Sequence, residues 1–239
     1  MSTDPQLDDL VHAKIKSHCA RGNGLANAAK FMGAMLDDDI RYASNASGCF
    51  IKGTLVHTQD GLRPIDEIKV GHYVLSSPED GTGSAAYKRV NNVFVHENET
   101  IRHISIFGPT PECQFVVGAT GNHPFWVEGL GWTRADKLDK NDILRRGDAS
   151  LAKIDRSFPV YRTSRDGVGW VQMFDRLEES YGSVFNYAKC ESVELEQDEY
   201  LSDEVCNSDD PFLRVRVYNL GVEDFHTYYV GSEGYWVRS

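Results

Sequence analysis

The sequence predicts a mainly β domain preceded by an α-helical hairpin. Three observations carry this reading: an Ala- and Leu-rich start with helical spacing, a run of short apolar strands after Cys49, and turn residues recurring between those strands. At 239 residues the chain is long enough to bury a sizeable core. Its domains divide as residues 1–48, a helical hairpin and linker, and residues 49–239, a β domain with an insertion at about 149–212.

Asp4 is suited to cap a helix, and Pro5 fits its first position. Leu7, Leu10, Val11 and Ile15 then fall on one face, and Gly22-Asn23-Gly24 ends it. A second helix is expected over 25–36, and residues 37–48 read as a linker. From Cys49 onward the apolar pattern predicts strands at 54–58, 62–68, 73–76, 90–96, 101–107 and 114–119. Further strands are expected at 154–163, 169–174, 212–222, 227–230 and 235–237, with a short helix at 175–180. No internal repeat is evident. The pair Gly81 and Gly83 superficially resembles a phosphate loop but lacks the strand before and the helix after, so it reads as a turn.

The net charge of −11 argues against nucleic-acid binding, which needs a basic surface. Residues 191–210 hold nine acids and no Lys or Arg, which reads as a solvated loop or edge-strand face. No EF-hand spacing is present among them. The five cysteines (Cys19, Cys49, Cys113, Cys190, Cys206) are odd in number and widely spaced, which favours reduced thiols in a reducing compartment. No CxxC pair supports a zinc site. There is no apolar run long enough to span a bilayer and no signal-peptide pattern at Met1. The expectation is a cytoplasmic chain, or one exported as part of a larger protein, with no membrane and no nucleic-acid partner.

Three local groups carry candidate chemistry. Gly48-Cys49-Phe50 stands where the linker gives way to strands. In Thr120-Gly121-Asn122-His123-Pro124-Phe125-Trp126, Gly-Asn supplies a tight turn and Pro124 holds His123 extended. In the third, Asp224 and His226 are two apart, and on an extended strand they would share one face. Each group alone has a structural explanation; their order along the chain does not.

Cys49 with Gly53, Thr54, Val56, Thr58, Gly61, Ile65, Ile68, Gly71 and Val74 resembles the opening block of Hint (hedgehog/intein) domains. The segment from Thr120 to Trp126 resembles their Thr-x-x-His block, residues 217–230 their penultimate block, and Gly234-Tyr235-Trp236-Val237 the lead-in to the last. The similarity is greatest to the pretoxin Hint domains of bacterial polymorphic toxins. It covers about 49–148 and 213–239 and says nothing of residues 1–48 or the insert. It implies a horseshoe of short, mostly antiparallel strands, and a Cys49 thiol that attacks the Gly48 carbonyl in an N-to-S acyl shift, cutting the Gly48–Cys49 bond. It assigns protonation of the leaving nitrogen to His123 and assistance in collapse of the intermediate to His226. Spacing adds Asp224 as a group that orients or tunes His226.

The chemistry suits those residues. A thiol is strongly nucleophilic even when a few per cent ionised. The preceding carbonyl is its natural target because one backbone holds both. A histidine of near-neutral pKa suits the general-acid step. Thr120 is placed to hydrogen-bond the scissile amide. The substrate is then the chain's own N-terminal flank, a fused or associated toxin module is the implied partner, and no cofactor or metal is needed. Two departures matter: Arg238-Ser239 stands where the family has His-Asn, which predicts cleavage without splicing, and Asn219 stands where many inteins carry Asp. The competing expectations are a cleavage-arrested Hint fold serving as a linker module, and a conventional cysteine hydrolase acting in trans.

Overall fold

The computed structural model describes residues 48–108, 114–172, 181–189 and 194–239. The expected helical hairpin over 1–48 and the helix at 175–180 lie outside the described residues.

Among the described residues eighteen strands follow one another from Phe50 onward. The first, β1 (Phe50–Ile51), is only two residues long, but both are buried and it lies between two partners. On one side is β7 (Gln114–Ala119), with Phe50 opposite Ala119; on the other is β16 (Arg214–Val222), with Phe50 opposite Tyr218 and Ile51 opposite Val217. β7 also pairs with β6 (Arg102–Phe107), and β6 with β11 (Leu151–Pro159). β16 continues through the long β5 (Ala86–Thr100) to β4 (Tyr73–Ser76) and β2 (Leu55–Thr58), which forms a hairpin with β3 (Gly61–Pro64). Next come β17 (Thr227–Val230) and β18 (Tyr235–Arg238), then the hairpin of β8 (Pro124–Val127) with β9 (Gly131–Arg134). The strand β10 (Ile143–Arg145) pairs with both β11 and β8, so the antiparallel strip curls back on itself. Closure of this kind removes exposed ladder edges. This is the expected mainly β arrangement.

The chain contains an internal repeat that the sequence conceals. β2, β3, a 3₁₀ turn at Ile65–Glu67 and β4 recur as β8, β9, a 3₁₀ turn at Ala135–Lys137 and β10. The copies align at Gly61 and Gly131, Asp66 and Asp136, Ile68 and Leu138, and Val74 and Leu144. Both glycines have left-handed φ, at 102° and 80°, which closes each hairpin. The expectation of no repeat is corrected: what recurs is a pattern of turn and buried positions, and identical residues are too few to show it.

The insert forms its own antiparallel sheet in the order β12 (Tyr161–Arg162), β13 (Val168–Val171), β14 (Tyr181–Asn186), β15 (Glu194–Tyr200). β15 carries much of the acidic run and is an edge strand, as the charge suggested. A four-residue helix, α1 (Asp203–Cys206), follows, its N-terminus capped by the Ser202 hydroxyl. Cys206 is disulfide-bonded, which corrects the expectation that every thiol is reduced. Sequence spacing gave no sign of it, because Cys206 lies in an insert that the family pattern does not cover.

Three cores result. The largest lies inside the curled strip around Phe50, Ile104, Phe125, Leu220 and Tyr228. The third belongs to the insert, around Trp170 and Val184. The second joins them: Cys49, Ile51 and Val217 from the strip pack with Val171, Phe185 and Tyr187 from the insert. The insert is thereby the wall of the face that carries Cys49.

Candidate functional site

Cys49 immediately precedes β1 and is held on both sides. Its backbone N–H, the amide of the Gly48–Cys49 bond, donates to Thr120 Oγ1 at 2.9 Å. Its carbonyl accepts from the Thr120 N–H at 2.8 Å. The Thr120 hydroxyl in turn donates to Asn122 Oδ1 at 2.7 Å, so its lone pairs are aimed at the scissile N–H. Asn122 was read as a turn residue only; its side chain sets the orientation of the hydroxyl.

Residues 120–123 form a tight turn, closed by the His123 N–H on the Thr120 carbonyl at 3.1 Å. The second repeat copy fixes this turn from below. The Ala135 N–H donates to the His123 carbonyl at 2.8 Å and the Asp136 N–H to the Gly121 carbonyl at 2.9 Å. His123 itself is fully buried, its ring 4.0 Å from that of Phe50 and 5.7 Å from that of Phe125.

The ring lies against Gly48. A Cβ at residue 48 would stand 2.2 Å from His123 Cα and 2.5 Å from Nδ1, so only glycine leaves room for the histidine. Neither ring nitrogen has a hydrogen-bond partner among the described residues. Burial pushes the imidazole pKa down to about 3. The Gly48 backbone is close enough to pull partly the other way without reaching hydrogen-bond geometry. His123 is therefore neutral at rest. The expectation of a near-neutral pKa is corrected, because the aromatic packing excludes the water an imidazolium needs.

Burial likewise pushes the Cys49 thiol up to about 12, with the negative charge of Glu99 adding to the effect. The expectation of a thiol a few per cent ionised is corrected for the same reason. At neutral pH the thiolate fraction is on the order of 10⁻⁵, so attack must be coupled to proton transfer.

Asp224 and His226 sit elsewhere. They follow β16 on a turn, not a strand, with φ of 62° and 52°. Both are exposed, and Asp224 Oδ2 accepts from Lys88 Nζ at 2.8 Å. The His226 carbonyl accepts the Ser239 N–H at 2.8 Å, tying it to the last strand. The expected shared face on an extended strand is corrected: left-handed backbone at both positions breaks the period of two. The structure thus gathers Gly48, Cys49, Thr120 and His123, and leaves Asp224 and His226 on the outer turn.

Asn219 also belongs to the gathered group. It is fully buried on β16, and its Oδ1 accepts from the Tyr228 hydroxyl at 2.6 Å and from the Leu220 N–H at 2.8 Å. Among the described residues no three His, Cys, Asp or Glu side chains are grouped to hold a metal, and no helix is long and apolar enough to cross a membrane.

Residues 55–156 match the family model of the pretoxin Hint domain. This part of the chain is similar to pretoxin Hint domains. The solution structure of a bacterial intein-like domain from Clostridium thermocellum is similar to the chain at 25% identity. It covers 81% of this chain and 100% of its own, with a TM-score of 0.52. The DnaB intein of Synechocystis sp. PCC 6803 is similar at 15% identity, over 81% of this chain and 99% of that one, with a TM-score of 0.47. The gp41-1 intein follows at 16% identity, over 81% and 100%, with a TM-score of 0.45. No curated protein matches the chain. The curled antiparallel fold is the one expected from the sequence blocks; Cys49 lies just before the matched stretch, on the residue preceding β1.

Proposed function

We propose that this Hint domain processes its own chain once, by an N-to-S acyl shift at Cys49 that ends in cleavage of the Gly48–Cys49 bond and release of residues 1–48. The observation that carries the reading is the hold on one peptide bond: its N–H rests on Thr120 Oγ1 and its glycine lies under the His123 ring. Thr120 fixes the orientation of the amide. His123, neutral at rest, takes the thiol proton as sulfur attacks and passes it to the Cys49 nitrogen as that nitrogen leaves. An imidazolium buried this deeply gives up its proton readily, which suits delivery to a departing amine. Aspartate 224 and His226 have no contact that supports a part in this step, and they belong instead to the turn beside Arg238 and Ser239. Neither of those two residues can form a succinimide, so the reading is cleavage without splicing. The domain's class further supports a fused toxin module as its natural companion.

A second reading, an arrested Hint fold acting as a linker module, is favoured by the buried, protonated Cys49 thiol. Intact-mass measurement of the purified chain, incubated with and without hydroxylamine, separates the two. Processing predicts hydroxylamine-dependent fragments corresponding to 1–48 and 49–239, at a rate independent of protein concentration, and none from Cys49→Ala. An unchanged mass under both conditions, identical to that of Cys49→Ala, sinks the processing reading. A rate that rises with protein concentration would point to a hydrolase acting in trans.

A further inference from the structure

The ladder between β1 and β16 runs Ile51 opposite Val217 and Phe50 opposite Tyr218; Asn219 and Cys49 are the next residues on each side, so extending the register by one step sets them facing each other. Thr120 flanks Cys49 on the other side, so the scissile bond lies between a threonine and an asparagine. The amide orientation of Asn219 is fixed. Its Oδ1 holds two donors, the Tyr228 hydroxyl and the Leu220 N–H, which leaves the NH₂ as the other end of the group. That Nδ2 is buried and has no partner among the described residues. Burying an amide donor without an acceptor costs about 1–3 kcal/mol, and a buried group left this way calls for an explanation. The side chain is folded over its own peptide, its Oδ1 on the Leu220 N–H. Tyr228 stands close enough to Cys49 for the thiolate charge to act on its phenol.

We propose that Asn219 Nδ2 is the hydrogen-bond donor to the oxyanion that develops on the Gly48 carbonyl oxygen, with Tyr228 as the positioning residue that keeps the amide pointed there. The inference rests on the processing reading above. As the Sγ–C bond forms at the Gly48 carbonyl carbon, the thiol proton passes to His123 and the carbonyl π pair moves onto oxygen. Asn219 Nδ2 stabilises that negative charge. On collapse the pair reforms the carbonyl, the C–N bond breaks, and His123 returns the proton to the Cys49 nitrogen, giving a thioester and an amine. A donor with no partner in the ground state that gains one at the oxyanion stabilises the transition state selectively. A carboxylate at this position, with no N–H, could not do so.

The test measures hydroxylamine-dependent cleavage by intact mass across pH 5–9 for the parent chain, Asn219→Asp, Asn219→Ala and Tyr228→Phe, each with its thermal unfolding midpoint. Loss of one preorganised oxyanion donor predicts a fall of about 10²–10³-fold in rate for Asn219→Ala. Asn219→Asp should fall as far at pH 9 and recover as pH drops, because a protonated carboxyl regains a donor. Tyr228→Phe, which frees the amide to flip, should slow cleavage without changing its pH profile. If Asn219→Asp is too unstable to fold, Tyr228→Phe and Asn219→Ala decide alone. Variants that fold and cleave at the parent rate, while the parent itself cleaves, overturn the oxyanion assignment and leave the processing reading standing. A parent chain that does not cleave at all overturns both.

Discussion

Thr120 Oγ1 accepts the N–H of Cys49 at 2.9 Å, while Cys49 returns its carbonyl to the Thr120 N–H. The pair makes a closed ring of two hydrogen bonds in which one donor is the bond proposed to break. Thr120→Val keeps the shape and removes the acceptor, leaving a buried N–H unpaired at a cost of about 1–3 kcal/mol. Cleavage should slow by about 10²-fold, the scale expected when a reacting group loses its position. Thr120→Ser keeps the hydroxyl and should restore most of the rate. Equal rates for the Val and Ser variants, measured by intact mass, would remove Thr120 from the reaction.

Gly48 is held to its identity by His123. In Gly48→Ala the new methyl meets His123 Cα and Nδ1 well inside van der Waals contact. Overpacking of this kind costs about 1–3 kcal/mol, so the urea midpoint should fall and cleavage should slow on the order of tenfold or more. A variant as stable and as fast as the parent would show that Gly48 is not seated under the ring.

Two buried histidines set the acid limit of the fold. Burial pushes His123 to about 3, and burial together with the positive charge of Arg156 does the same to His103. Both values lie below the unfolded value near 6.5, so the unfolded chain binds more protons between pH 6.5 and 3. Stability is complete above pH 6.5 and is lost as pH falls through that window, by about 1.4 kcal/mol per pH unit for each histidine. Urea unfolding at pH 7, 5.5 and 4.5 checks this, and His103→Asn should reduce the slope by about half. A midpoint that does not move between pH 7 and 4.5 would contradict the neutral, buried state of both rings.

The Cys49 thiol should resist alkylation. With its pKa near 12 the thiolate at pH 8 is about 10⁻⁴ of the whole, against about a quarter for an ordinary cysteine. Iodoacetamide labelling followed by peptide mapping should modify Cys49 about 10³-fold more slowly in the native chain than in urea. Equal rates would mean that the face covering the sulfur is open.

Much of the fold was readable from apolar runs and turn residues. The strands at 73–76, 114–119 and 227–230 coincide with β4, β7 and β17. The hairpin of β8 and β9 escaped notice because Gly131–Arg134 is half-buried at every position and shows no alternation. β5 was read as less than half its length, since the polar residues at its ends, such as Asn98 and Glu99, are exposed and give no apolar signal. At the site, the blocks around Cys49, Thr120 and His123 found residues that the structure does bring together. The extended backbone expected at Asp224 and His226 is not found, because left-handed backbone cannot be read from a spacing of two. The part played by Asn122 was hidden because an asparagine in a Gly-Asn turn already has a local explanation, and Cys206 lies in an insert that the family pattern does not cover.

If Cys49 carries an acyl group as proposed, the second core would let the inserted sheet influence how long it stays there. Val171, Phe185 and Tyr187 come from β13, β14 and the residue just after β14, yet they share one cluster with Cys49. Together with Ile51, Ile101 and Val217 they help keep Cys49 buried. Substitutions among them would alter how long an acyl group rests on Cys49 before release, without touching the Gly48–Cys49 bond or any residue that holds it. The interval between making the thioester and spending it would then be encoded in a segment remote from the reacting atoms, and could be lengthened or shortened independently of the chemistry.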